Sequence, residues 1–473
     1  MPVHLTSRRH LAPGSVQAAP PSAVGPARLL SPLDPTRYSS SLRCLVASAL
    51  RSPCTYLVVA AILGYGVFAT VEYERLGGLV GALDLGIFYE AVCGWAFHAD
   101  PYVAIKGSSQ LGDHFTPAWV LLAPLLRIRD SPYMLVLAQF VLLPLSGIPV
   151  YVAVRRMVGR WPATGVTAAY LASSGLQHAI AFPVHEVMFA TPLIAWALER
   201  ILAGRWTWAT VLMCSLCLVK EDLNLMTAAF AVVALCHRRW RRAAFLAVWG
   251  LAAYLITVKL VIPEFCPAGY TYLDQYASTL QATNSVQDLM HIVEHPLRVL
   301  HLLYDNQTKR ALWHLLIVPV LGLCFASPLL LLAAPNLLSR LLSSDPNVWT
   351  SHYHYDAPLM PIIFIAAVDG LMRICRCVGF LIDERAVLAG QGQACPPVRR
   401  RRLRLLVSAD HLPIHGQVAD RRMDQEACRV RGERELEQTG RGSRAGRAER
   451  RDRRGDQPPG RSTPGTRHRD ADL

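Results

Sequence analysis

An all-α, polytopic integral membrane fold of about ten transmembrane helices is what this sequence predicts, and three observations predict it. Hydrophobic residues make up 52% of the 473 and charged ones only 17%, too few charges to solvate the surface of a soluble protein of this length. Apolar runs recur through residues 55–378, several close to the ~20 residues that cross a bilayer. The Arg residues between them fall in short clusters, as they do in loops on the cytoplasmic side of a membrane.

In chain order, residues 1–50 are rich in Pro, Ser and Ala and read as a disordered cytoplasmic leader. The first apolar run starts too late and runs too long for a cleavable signal. The membrane domain covers 51–380, with candidate spans at 55–71, 132–154, 163–182, 187–202, 207–219, 223–236, 243–262, 311–325, 328–342 and 357–378. Arg155, Arg156 and Arg160 form one basic cluster, Arg200 and Arg205 a second, Arg238, Arg239, Arg241 and Arg242 a third, and Arg373 with Arg376 a fourth. If all four are cytoplasmic, an even number of spans separates any two, and ten spans with a cytoplasmic N-terminus meet that condition. The run 115–126 is too short to cross and is placed on the outer face as a juxtamembrane helix. Arg127 and Arg129 then lie outside, against the trend.

Residues 381–473 carry 21 Arg against 14 acidic residues, about half of the net charge of +14, and contain no Phe, Tyr or Trp. Such a stretch builds no core. A genuine disordered tail and a shifted reading frame in GC-rich DNA both account for it, and in either case the chain reads as a shortened one. Basicity concentrated there gives no support to a nucleic-acid partner. The twelve cysteines lie mostly in apolar runs, where Cys behaves as a small hydrophobe. Cys214 and Cys217 have no second pair with which to build a metal site.

The topology sends the remaining polar residues to one side. Leu85, Phe88, Tyr89, Val92, Trp95 and Ala96 recur at helical spacing, which predicts an amphipathic helix in the outer interface with Asp84 at the membrane surface. Asp113 and His114, His185 and Glu186, Lys220, Glu221 and Asp222, the loop 263–309, and His352 to Asp356 all fall on the same outer face. Three adjacent charges at 220–222 interrupt a long apolar stretch, and the tip of a hairpin is where they cost least; a plain charged turn, with Lys220 neutralising its neighbour, explains them equally well. His185 with Glu186 fits a metal pair, a proton relay or a sugar-binding pair as readily as ordinary helix-end polarity. The loop 263–309, with Tyr270, Tyr272 and Tyr276, is long enough to fold as a lid. No phosphate-binding glycine loop supports ATP or dinucleotide use.

The runs DLGIFYEAVCGW (84–95), LGDHFTPAWVLLAPL (111–125), FPVHE (182–186), KED (220–222) and HYHYDAP (352–358) resemble a family of bacterial polytopic membrane proteins. That family is itself similar to the GT-C glycosyltransferases, which use polyprenyl-phosphate sugars. The likeness covers about residues 55–380. It implies a bacterial plasma-membrane protein whose first outer loop, built of juxtamembrane helices, holds a catalytic acid; Asp84 matches that position as general base. Asp113, His114, His185, Glu186, Lys220, Glu221, Asp222, His352 and His354 would then bind substrate, with a divalent cation as an open possibility and Lys220, Arg127 or Arg129 on the phosphate. A transporter or flippase of a polar or lipid-linked substrate, and a non-catalytic family member, are the competing readings.

Overall fold

The computed structural model describes residues 50–75, 82–182, 184–280 and 294–388. Nearly all of the leader, the tail beyond 388, Pro183 and His291 lie outside the described residues. The chain divides into two compact units, Met1–Ala234 with Trp240–Ile374, and Leu235–Arg239 with Cys375–Leu473. The candidate site residues all belong to the first. The described part of the second consists of the ends of two helices and the turn that follows one of them.

Helices dominate, and the one strand pair among the described residues is the two-residue ladder Tyr102–Val103 with Ser108–Ser109. Among the described residues, four helical stretches are long and apolar enough to cross a membrane: Pro53–Arg75, Tyr133–Val158, Trp240–Phe265 and His354–Phe380. The first, α1 (Pro53–Arg75), buries little beyond Cys54, Val58 and Ala69, as expected of a helix that faces lipid. After it come α2 (Ala82–Cys93), α3 (Gln110–Asp113) and α4 (Ala123–Ile128), short helices in place of a crossing. Burial of Leu85, Ile87, Phe88, Ala91 and Val92 wraps most of α2, and Phe88 stacks on Trp119 at 4.5 Å. This helix is therefore packed into protein on more than one face, where the spacing predicted a single stripe lying in the interface.

The second long stretch is two helices, α5 (Tyr133–Leu145) and α6 (Gly147–Val158). Pro149 offers no N–H to the carbonyl of Leu145, and the break is held by Ser146, whose hydroxyl meets the Tyr170 hydroxyl at 2.5 Å. Several other predicted spans are likewise divided. The run 163–182 becomes α7 (Arg160–Leu171) and α8 (Ser174–Ala181). Continuous helices follow in α9 (Val187–Leu202), α10 (Trp206–Cys214), α11 (Leu223–Cys236) and α12 (Trp240–Ile256). The runs 311–325 and 328–342 are interrupted by 3-10 turns, with Leu321 and Gly322 both at positive φ, before α13 (Ala334–Leu341) and the long α14 (Leu359–Leu388).

Two ends of this unit differ in chemistry. At one, Arg156 of α6 and Arg200 of α9 both pair with the buried Glu199, and Arg242 of α12 donates to Thr207 Oγ1 at 3.0 Å. Members of three of the four basic clusters, Arg156, Arg200 and Arg242, thus gather at this end. At the opposite end of α9 sits Glu186. Thirteen residues separate it from Glu199, about 20 Å along a helix at 1.5 Å per residue.

Candidate functional site

The turn at 220–222, between α10 and α11, is the centre of this second end. Lys220 Nζ lies 2.7 Å from Glu186 Oε1, with little of either side chain exposed. Its partner is thus a carboxylate from another loop, not the neighbour that a simple charged turn would use. Burial opposes ionisation of both groups, but each is the other's strongest charge partner; the Glu186 carboxyl is held well below its ordinary range and the Lys220 ammonium well above. Glu221 points elsewhere. Its Oε1 lies 2.7 Å from His114 Nδ1 and 3.2 Å from the Tyr270 hydroxyl, while Oε2 accepts from the Phe115 N–H at 3.0 Å. Beside it Asp113 takes Lys106 Nζ at 2.6 Å and the Tyr272 hydroxyl at 2.8 Å, and the Tyr272 ring stacks on His114 at 4.3 Å. Gly112 permits this: a Cβ there would stand 2.8 Å from Cys266 Cβ.

The third group comes from 352–358. His354 stacks on His185 at 3.6 Å, and Asp356 pairs with Arg340 Nη1 at 2.6 Å. Arg340, on α13, also donates to the Val348 and Thr350 carbonyls, so one guanidinium pins the whole loop. Gly175 of α8 admits the loop closely, since a Cβ there would stand 3.0 Å from Asp356 Cβ. His352 is exposed and turned toward the His178 ring, 6.0 Å away, outside the paired cluster.

Asp84 occupies the first turn of α2, where an acid suits the positive end of the helix. It is partly exposed and makes no hydrogen bond or ion pair with the described residues. Phe88, one turn further on the same face, packs edge-on against His185 at 5.1 Å. Asp84 therefore flanks the cluster without entering it. Arg127 Nε is committed to the Ala96 carbonyl at 2.9 Å.

Sequence reasoning passed over three residues that build this site, Lys106 beside Asp113 among them. Arg340 is another. The third is Gln139 in α5, almost fully buried, whose Nε2 donates to the Ala179 and Phe182 carbonyls at 2.8 and 3.3 Å while its Oε1 accepts from the His185 N–H at 3.0 Å. A polar side chain inside an apolar run was the available signal. Gln139→Leu strands the His185 N–H in a dry setting, and an unmade buried hydrogen bond costs roughly 1–3 kcal/mol. The expected result is a loss of about 2 kcal/mol in a denaturant titration, with faster amide exchange at 184–186.

The acids do not fit a divalent-cation site. Glu186, Glu221, Asp113 and Asp356 each already face a cationic or imidazole partner, and no group of three His, Cys, Asp or Glu among the described residues is placed to hold a metal. Asp222 is different: its Oδ1 is buried without a hydrogen-bond partner. Burial, with Glu221 and Glu186 adding to it against Lys220, pushes its carboxyl up to about 6. Between the ordinary value of 3.8 and about 6, the folded protein holds a proton that the unfolded chain has released. Stability therefore falls as pH rises through that window and is restored on acidification. Asp222→Asn is expected to remove this loss, read as a flatter dependence of the unfolding midpoint between about pH 4 and 6.

A nearly all-helical fold with four helical stretches among the described residues able to cross a bilayer, and charged side chains paired at the ends of its helices, defines a multi-pass membrane protein. Residues 75–387, more than half of the sequence, match the model of the family described as "Predicted membrane protein (DUF2079)", and the chain belongs to that family. No curated protein and no solved structure matches it.

Proposed function

We propose that this protein is a membrane glycosyltransferase of GT-C type that moves a sugar from a polyprenyl phosphate to an acceptor on the outer face of a bacterial plasma membrane. In this reading ten segments cross, the shorter and broken ones included, with the N-terminus and the arginine end in the cytoplasm and the 220–222 turn outside. The observation that carries it is the pairing of residues from four separated motifs, Lys220 with Glu186, Glu221 with His114 and His185 with His354, at the end opposite the arginines. Juxtamembrane helices between the first two long helical stretches agree with the first outer loop of that class.

Asp84 removes the proton from the acceptor hydroxyl; the acceptor oxygen bonds to the anomeric carbon; the carbon–oxygen bond to the phosphate breaks, and the polyprenyl phosphate leaves with the electron pair. A partly exposed carboxylate without a partner is free to take that proton. Lys220 supplies positive charge beside the departing phosphate, and the imidazoles of His185 and His354, the latter kept neutral by burial, offer N–H donors. Tyr270 and Tyr272, tied to Glu221 and Asp113, close over the site as a lid. A general base contributes about 10²–10⁴-fold, so Asp84→Asn in purified protein given radiolabelled polyprenyl-phosphate sugars is expected to lose at least about 100-fold in transfer while folding normally. Full transfer by Asp84→Asn removes Asp84 from the mechanism. A protein that moves labelled lipid across vesicles without transferring sugar, and stops when Glu221 or Asp222 is replaced, is a flippase.

A further inference from the structure

The arginine end holds more arginines than acids. Three helices begin there beside an Arg and a Trp: α7 with Arg160 and Trp161, α10 with Trp206 behind its N-cap Arg205, and α12 with Trp240 and Arg241. The first two have no side-chain cap, and none of the three has an acid in its first turn. Glu199, in the last turn of α9, is the one acid in residues 155–163, 199–208 and 240–243, and Arg156 and Arg200 already share it. Arg160, Arg205 and Arg241 are exposed. Tryptophans stand in the first turns of the same helices: Trp161 is 73% exposed, Trp208 61% and Trp240 67%. The Arg160 guanidinium lies over the Trp161 ring at 5.2 Å, and that of Arg200 over Trp196 at 5.5 Å.

We propose that this collar of arginines and tryptophans binds the phosphate headgroups of anionic phospholipids in the leaflet at that end. Exposed Trp on helices that span a bilayer belongs at the headgroup level, which favours lipid over RNA or a phosphoprotein as the source of the negative charge. Arg matches phosphate in geometry as well as sign through its paired N–H donors. The collar is about 20 Å from the 220–222 turn by the length of α9, so the inference stands whichever reaction the far end performs.

The test uses the full-length protein in nanodiscs of phosphatidylcholine, alone or mixed with phosphatidylglycerol. Mass spectrometry reads the lipid retained after release, and a thermal scan reads the midpoint. The wild type is expected to retain phosphatidylglycerol over phosphatidylcholine and to melt higher in the mixture. Basic side chains each add to attraction for an anionic surface, so Arg160→Gln, Arg205→Gln and Arg241→Gln together are expected to cut that preference by more than about tenfold. The matching triple Lys variant keeps most of it. Equal retention of the two lipids by the wild type overturns the proposal, whatever the variants do. So does an equal rise in midpoint with inorganic phosphate in phosphatidylcholine alone.

Discussion

Lys220→Met is expected to destabilise the protein by about 3–5 kcal/mol, because it leaves the buried Glu186 carboxylate without its cation. The informative comparison is the double variant. Glu186→Gln added to Lys220→Met removes the stranded charge and is expected to recover most of the loss, since a buried pair is often close to neutral against an uncharged replacement. Denaturant titration of the single and double variants in detergent gives the coupling directly. If the double variant is no more stable than the single, the two groups do not pair and the 220–222 turn is not joined to 184–186.

Glu221→Ala is the second large effect. It strips the partner from His114, from the Phe115 N–H and from Tyr270, and removing one member of a buried charged network typically costs about 3–5 kcal/mol. Burial opposes the charge on Glu221, but His114 and Lys220 outweigh it and hold the carboxyl below its ordinary range. A depressed carboxyl contributes stability above the unfolded-state value of 4.5 and loses it as pH falls through the folded value. The variant should therefore lose an acid-side decline in stability, the opposite of what Asp222→Asn removes. Hydrogen exchange adds a local readout: amides at 110–116 and 270–273 are expected to exchange faster together. Unchanged exchange at 270–273 contradicts a lid tied down by Glu221.

The parts of this site that were legible in the sequence were those that violated a membrane context. Three charges at 220–222 and a histidine-rich run at 352–356 stand out because lipid penalises them. Their partners were not legible. Nothing in the spacing of Lys220 and Glu186 distinguishes a pairing across loops from a self-neutralised turn, because only packing of α9 beside the 220–222 turn decides it. Gln139 and Arg340 escaped for a related reason: each is a lone polar residue whose meaning lies in the carbonyls it reaches. His352 was grouped with His354 by sequence proximity, yet the backbone turns them apart. The apolar runs were legible as membrane-directed sequence, while the break at Ser146 depends on the hydrogen bond Pro149 withholds, that at 172–173 on the extended backbone of Ser173, and that around Leu321 on two positive-φ residues.

The most direct test of the central claim, that the paired motifs face outward and the arginine end inward, is cysteine labelling in intact cells. In a chain cleared of its twelve cysteines, Ala104→Cys marks the motif end and Arg160→Cys the arginine end, both at exposed positions. A membrane-impermeant maleimide is expected to modify Ala104→Cys in intact cells and Arg160→Cys only after permeabilisation. Labelling of both from outside, or of Arg160→Cys alone, contradicts the account and places the 220–222 turn away from an external lipid-linked donor.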